Sequence, residues 1–139
     1  MSQYEVTLLL GSNLGDTRGN LERALEMIKK EIGPVVAQSP FLYSEPVEFA
    51  SNNIFCNIAV LIKSDFSPIK LLNSIKKIEV EMGRLVDSSV TETYADRVID
   101  IDIVLFGQVI FKCKRLQIPH IRHLHDRDFS MRLLQSLKH

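Results

Sequence analysis

Apolar positions change their period along this chain, and each change marks a new element. Val6–Leu10 is an unbroken apolar run that stops at Gly11-Ser-Asn-Leu-Gly-Asp16, a cluster of turn formers, which predicts a strand entering a loop. Asp16 or Thr17 is placed to cap a helix whose Leu21, Leu25, Ile28 and Ile32 recur at helical spacing until Gly33-Pro34 stops it. Val35–Tyr43 and Ile54–Ile62 read as two strands joined by the polar loop Ser44–Asn53. Pro68, in a favoured first-turn position, opens a second helix with Leu71, Leu72, Ile75, Ile78 and Met82 on one stripe, and Gly83 ends it. The polar loop Leu85–Asp96 leads into a last long strand, Arg97–Gly107. The order βαββαβ is the ferredoxin-like arrangement, an α+β fold with one antiparallel sheet and two helices on one face. A hairpin-like segment, Val109–Ile118, and a helical tail from about His120 to Leu137 follow.

The last strand breaks its own pattern. Ile99, Ile101 and Ile103 form one apolar face, while Asp100 and Asp102 share the other. Same-face neighbours lie roughly 6–7 Å apart, so the two carboxylates repel each other unless a cation sits between them. A clasp for hard divalent ions is one reading, and it suits phosphate chemistry. A solvent-facing acidic edge on an amphipathic strand is the other, and this segment alone does not decide between them.

Composition narrows the partners. In 139 residues, 17 basic side chains cancel 17 acidic ones, which argues against a protein that coats nucleic acid or a membrane surface. The length predicts a single domain over 1–139. Cys56 and Cys113 have no ligand-like spacing and read as reduced thiols. The start lacks a basic n-region, and Val6–Leu10 is too short for a signal peptide or a membrane span, so a cytoplasmic protein is expected.

Several polar residues look misplaced. Glu79 falls in the stripe of Leu72, Ile75 and Met82, where a carboxylate is paired, protonated or used, unless it sits at the stripe's edge and reaches water. Arg84 ends the second helix, where a cation complements the dipole. Arg97, Arg115 and Arg127 complete a scattered set of arginines that suits polyphosphate recognition near metal-binding acids. His120, His123 and His125 lack both a helical ligand spacing and a nearby cysteine, which disfavours zinc. The two glycines after the first strand are neither a P-loop nor a dinucleotide fingerprint.

From Val6 to Met131 the motifs resemble, in order, those of the 6-hydroxymethyl-7,8-dihydropterin pyrophosphokinase family of folate biosynthesis. Leu10-Gly-Ser-Asn-Leu-Gly-Asp16, with Asn20-Leu21 and Ala24-Leu25, is similar to the family's opening. Ser44-Glu-Pro-Val47 and Phe55-Cys-Asn57-Ile-Ala-Val resemble its first pterin loop and the strand after it. Ile78-Glu79-x-x-Met-Gly-Arg84 and Arg97-x-Ile-Asp100-Ile-Asp102-Ile-x-Leu-Phe-Gly are the most specific pair. Leu116-x-Ile-Pro-His120 and His125-Asp-Arg127-x-Phe129 resemble the signature near the end.

The resemblance implies an ATP-dependent enzyme that moves pyrophosphate to the pterin hydroxymethyl oxygen and releases AMP. It assigns two Mg²⁺ ions to Asp100 and Asp102, and makes these two, with Arg84 and Arg97, the catalytic set. Glu79, Arg84, Arg97, Arg115, His120 and Arg127 fall on the nucleotide, with Asn13 beside them. Ser44, Val47, Phe55, Asn57, Asp100 and Phe129 fall on the pterin. ATP and a reduced pterin are the implied partners of a monomer. Three departures stand out: Val86 replaces a basic residue, Glu48 replaces a glycine, and the C-terminus is short. A pterin- or nucleotide-binding protein without activity is the alternative on the same fold.

Overall fold

A computed structural model describes residues 3–44, 54–83, 98–120 and 128–137. The elements are β1 (Tyr4–Ser12), α1 (Thr17–Glu31), β2 (Val35–Gln38), β3 (Leu42–Ser44), β4 (Phe55–Ser64), α2 (Pro68–Glu81), β5 (Asp100–Phe106), β6 (Phe111–Lys112), β7 (Gln117–Ile118) and α3 (Asp128–Ser136). The main sheet runs β2-β4-β1-β5, with β3 also on β4, and every pair is antiparallel. With β2 and β3 together serving as the second strand, this is the expected ferredoxin-like order.

The helix ends follow the local chemistry. The Asp16 carboxylate accepts from the Gly19 N–H at 3.1 Å, and the Ser67 hydroxyl accepts from the Lys70 N–H at 3.2 Å ahead of Pro68. Between α1 and β2, Gly33 lies so close to β4 that an added Cβ would sit 2.0 Å from the Lys63 carbonyl oxygen. That oxygen is backbone and cannot swing aside. We expect Gly33→Ala to cost about 2 kcal/mol and lower the melting midpoint by about 6 °C, read by a thermal melt.

The core has two layers. Leu21, Ala24 and Ile28 of α1 and Leu71, Ile75 and Ile78 of α2 cover Leu8, Leu10, Ile58, Val60, Ile101 and Ile103. On the opposite face a smaller cluster joins Leu9, Ala59 and Val104 to Leu133 and Leu134 of α3. The central strand β1 is therefore buried on both faces, which is why Val6–Leu10 is apolar without alternation.

Two expected elements change. Val35–Tyr43 is two strands, because Ser39 and Pro40 interrupt the ladder. The Ser39 N–H donates to the Ala59 carbonyl while the Ser39 hydroxyl accepts from the Ala59 N–H, both at 2.9 Å, so a side chain replaces a backbone acceptor there. His120 is not helical: its N–H donates to the Val104 carbonyl at 2.9 Å, which ties it to β5, and the described C-terminal helix begins at Asp128. Among the described residues, no helix is long and apolar enough to cross a membrane.

Candidate functional site

Strand register places the acids. Asp100 stands opposite Gly11, which stands opposite Asn57; Asp102 stands opposite Leu9, which stands opposite Ala59. Leu9 and Ala59 belong to the α3 layer, so the sheet face that carries the acids is apolar at one end and polar at the other. A register shift between Thr7 and Leu8 follows the acid pair along β5, and past it Phe106 turns into the α1–α2 layer. Ile99, Ile101 and Ile103 are buried behind the acids, as the alternation predicts, while Asp100 and Asp102 are half-buried.

Gly11 makes room at the polar end. A Cβ there would lie 2.8 Å from Asn57 Oδ1 and 3.5 Å from the Phe55 ring, so the amide and the ring both lie against the glycine. Asn57 Nδ2 donates to the Leu42 carbonyl of β3 at 3.3 Å, which holds the amide across the sheet. The following turn is braced from α1: Asn20 Nδ2 donates to Ser12 Oγ at 3.1 Å and to the Leu14 carbonyl at 2.8 Å. Asn13 is buried in that turn. Much of the Gly-Ser-Asn-Leu-Gly sequence therefore shapes the platform on which Asn57 and Phe55 rest.

Glu79 does not reach for water. It is 1% exposed, its Oε2 accepts from the Ile101 N–H at 2.8 Å, and its Oε1 accepts from Lys76 Nζ at 3.1 Å. Because β5 is the sheet's edge, alternate N–H groups on its outer side have no ladder partner, and Glu79 takes the one between the two acids. A carboxylate on the apolar stripe of α2 thus clamps the strand that carries the acid pair.

Beside that edge lies a cleft of about 240 Å³, lined by Leu72 and Lys76 of α2, Ile101, Asp102 and Ile103 of β5, and Arg115, Leu116, Gln117 and His120. The β6–β7 hairpin closes one side, and Arg115 Nη2 donates to Asn73 Oδ1 of α2 at 2.6 Å. Asp102 opens into this cleft, while Asp100 shares its row with Asn57.

The structure brings together Glu79, Asp102, Arg115 and His120 on the cleft side, and Asp100, Asn57 and Phe55 on the other. Ser44 ends β3 opposite Phe55, and Phe129 lies in the first turn of α3. Val47, Arg84, Arg97 and Arg127, like His123 and His125, lie outside the described residues. Sequence reasoning missed Gly11, Lys76, Leu116 and Gln117 as site residues. The signal for Lys76 was its i, i+3 spacing from a misplaced carboxylate; that for the other cleft residues appears only once the hairpin folds onto α2.

Of the two free thiols, Cys113 is exposed in the β6–β7 turn. Cys56 is buried on the α1–α2 side, and burial pushes its pKa up, which keeps it protonated; contact with that thiol raises the Tyr43 phenol.

A family model described as 7,8-dihydro-6-hydroxymethylpterin-pyrophosphokinase matches residues 7–139. A Porphyromonas gingivalis protein named 2-amino-4-hydroxy-6-hydroxymethyldihydropteridine pyrophosphokinase is 38% identical over 125 residues, 89% of this chain and 84% of that protein. A Pseudomonas aeruginosa protein of the same name is 32% identical over 133 residues, 95% of this chain and 79% of that one. The folic acid synthesis protein of Schizosaccharomyces pombe is 37% identical over 144 residues, 99% of this chain, which spans 19% of its length. Among solved structures, wild-type Plasmodium falciparum HPPK-DHPS with pterin and p-hydroxybenzoate superposes with a TM-score of 0.70 at 18% identity. That match covers 99% of this chain and 38% of the other, and supports the fold.

Proposed function

We propose how the residues of this chain, which belongs to the 7,8-dihydro-6-hydroxymethylpterin-pyrophosphokinase family, divide an ATP-dependent transfer of pyrophosphate to a reduced pterin. One observation supports the reading above all. The acid pair stands on the seam between two unlike half-sites, a cleft with cationic groups on one side and an aromatic ring with an amide on the other.

The cleft takes MgATP. Leu72, Ile103 and Leu116 offer an apolar slot, and Arg115 and His120 face the same space as Asp102. Arg84, Arg97 and Arg127 are assigned to the triphosphate with them, and Glu79 supports this side by holding Ile101. Phe55 and Asn57 take the reduced pterin, a flat heterocycle that stacks on a phenyl ring and pairs its edge with an amide. Ser44, Val47 and Phe129 are assigned to the same slot.

Two half-buried carboxylates side by side are hard oxygen donors that fit magnesium. Asp100 and Asp102 would hold two Mg²⁺ ions, the metal offsetting phosphate charge when bound. Among the described residues, no group of three or more His, Cys, Asp or Glu gathers round a common point, which suits ions completed by phosphate and water. The protein's own contribution is placement: Asn57 fixes the acceptor on the Asp100 row, and the cleft fixes the donor beside Asp102.

The test is AMP release from MgATP with and without 6-hydroxymethyl-7,8-dihydropterin. Pterin-dependent AMP is expected; nucleotide and pterin binding without AMP would leave a binding protein instead. A finer prediction concerns Gly11→Ala. The Cβ displaces the Asn57 amide, which can turn away, so the pterin KM is expected to rise about tenfold with the ATP KM unchanged. An unchanged pterin KM would remove Asn57 from the pterin slot.

A further inference from the structure

Lys76 is the cleft cation that the division above leaves without a task. We propose that Lys76 contacts the nucleotide at the join of ribose and α-phosphate, and carries the negative charge that gathers on AMP as it leaves. The proposal rests on the reading that this cleft holds the nucleotide.

The argument runs along α2. Leu72, Lys76 and Glu79 are spaced four and three residues apart, so they form one ridge beside β5. At one end Leu72 lines the apolar part of the cleft with Leu116. At the other, Glu79 holds the Ile101 N–H between the two acids. Lys76 stands between these ends. A nucleotide with its base against the leucines and its outer phosphates toward Asp102 and His120 brings its ribose and α-phosphate past this ammonium.

The side chain is placed for the task. It is 51% exposed, while the Glu79 carboxylate that it bonds at 3.1 Å is 1% exposed, so the ammonium sits at the cleft's mouth and leans inward. It rides on a helix rather than a loop, and needs no closure to arrive. Arg115, the other long cation here, is held by Asn73 at 2.6 Å.

The chemistry needs a cation there. The hydroxymethyl oxygen bonds to the β-phosphorus and gives up its proton to solvent. The bond from the β-phosphorus to the bridging oxygen breaks, and its electron pair stays on the α-phosphate. AMP therefore leaves with more negative charge on that group than ATP carried there, and an ammonium beside it favours the transition state over the bound substrate.

The experiment compares Lys76→Met and Lys76→Arg in the full chain, using AMP and adenosine as competitive inhibitors of MgATP. In Lys76→Met we expect the AMP inhibition constant to weaken about tenfold and kcat to fall by a similar factor, with adenosine unchanged; Lys76→Arg should restore both within about threefold. If Lys76 only neutralises Glu79, AMP and adenosine weaken together and the melting midpoint drops, which overturns the proposal. An unchanged AMP constant overturns it as well. A separate variant, Leu72→Trp, fills the slot. If AMP binds that variant as it binds the wild type, the nucleotide lies elsewhere, and the reading beneath the proposal fails independently of Lys76.

Discussion

Replacing Asp100 or Asp102 with Ala is expected to lower pterin-dependent AMP release by on the order of 10³-fold or more, with the fold intact. Both side chains are half-buried on the face away from the α1–α2 core, so truncation opens no cavity among Ile99, Ile101 and Ile103. The same substitution removes one of two like charges held close on one strand. The metal-free protein should melt at the wild-type temperature or slightly above it. Activity and stability then move in opposite directions, which separates a metal-holding acid from a structural one. Turnover within about threefold of wild type in either variant would dismiss the clasp.

The second large effect is on stability. Glu79→Ala is expected to cost about 2–4 kcal/mol and lower the melting midpoint by about 6–12 °C. Two terms compete. A buried carboxylate is itself costly to desolvate, and its removal relieves that cost. Alanine, however, strips the Ile101 N–H of its acceptor on an edge strand and leaves a void where a side chain only 1% exposed had stood. Lys76 is half-exposed and turns to water at little cost, so the lost acceptor and the void decide the sign. Glu79→Gln keeps an oxygen for Ile101 and should lose about 1 kcal/mol, because a neutral amide oxygen accepts the Ile101 N–H less strongly than a carboxylate does. Urea titrations of the two variants check this. An alanine variant within about 0.5 kcal/mol of wild type would show that β5 holds its edge without Glu79.

Those two carboxylate positions mark where the chain could and could not be read in advance. Asp100 and Asp102 declare themselves, because strand alternation is a local rule and an acid every second residue violates the apolar pattern around it. The unbroken run Val6–Leu10 likewise announces a strand covered on both faces, and Pro68 announces the start of α2. Glu79 announced only that it was out of place. Its partner, the N–H of Ile101, is 22 residues away, and that N–H is available because β5 ended at the edge of the sheet. Nothing in the spacing of either residue encodes that.

The break between β2 and β3 was hidden for a related reason. Val35–Tyr43 has the composition of one strand, and it divides because the Ser39 hydroxyl meets the Ala59 N–H on β4. The cleft was least visible of all. Lys76, Leu116 and Gln117 come together only when a short hairpin folds back over α2, an arrangement set by tertiary contact rather than by any period. His120 misled through its neighbours: a polar stretch before a helix reads as helix, whereas its N–H is committed to Val104.

The edge position of β5 has a kinetic consequence. An interior strand is walled on both sides, so a group on it meets ligands from one direction. Here Asp102 opens sideways past the edge into the cleft, while Asp100 shares a row with Asn57 over the face of the sheet. On the division proposed above, donor and acceptor would have separate doors to the same pair of acids, and neither would need to leave before the other arrives. Such a layout has no use for a phosphorylated enzyme as a go-between. Initial rates measured against both substrates should give intersecting double-reciprocal lines, and the transferred group should pass from one small molecule to the other within a single ternary assembly.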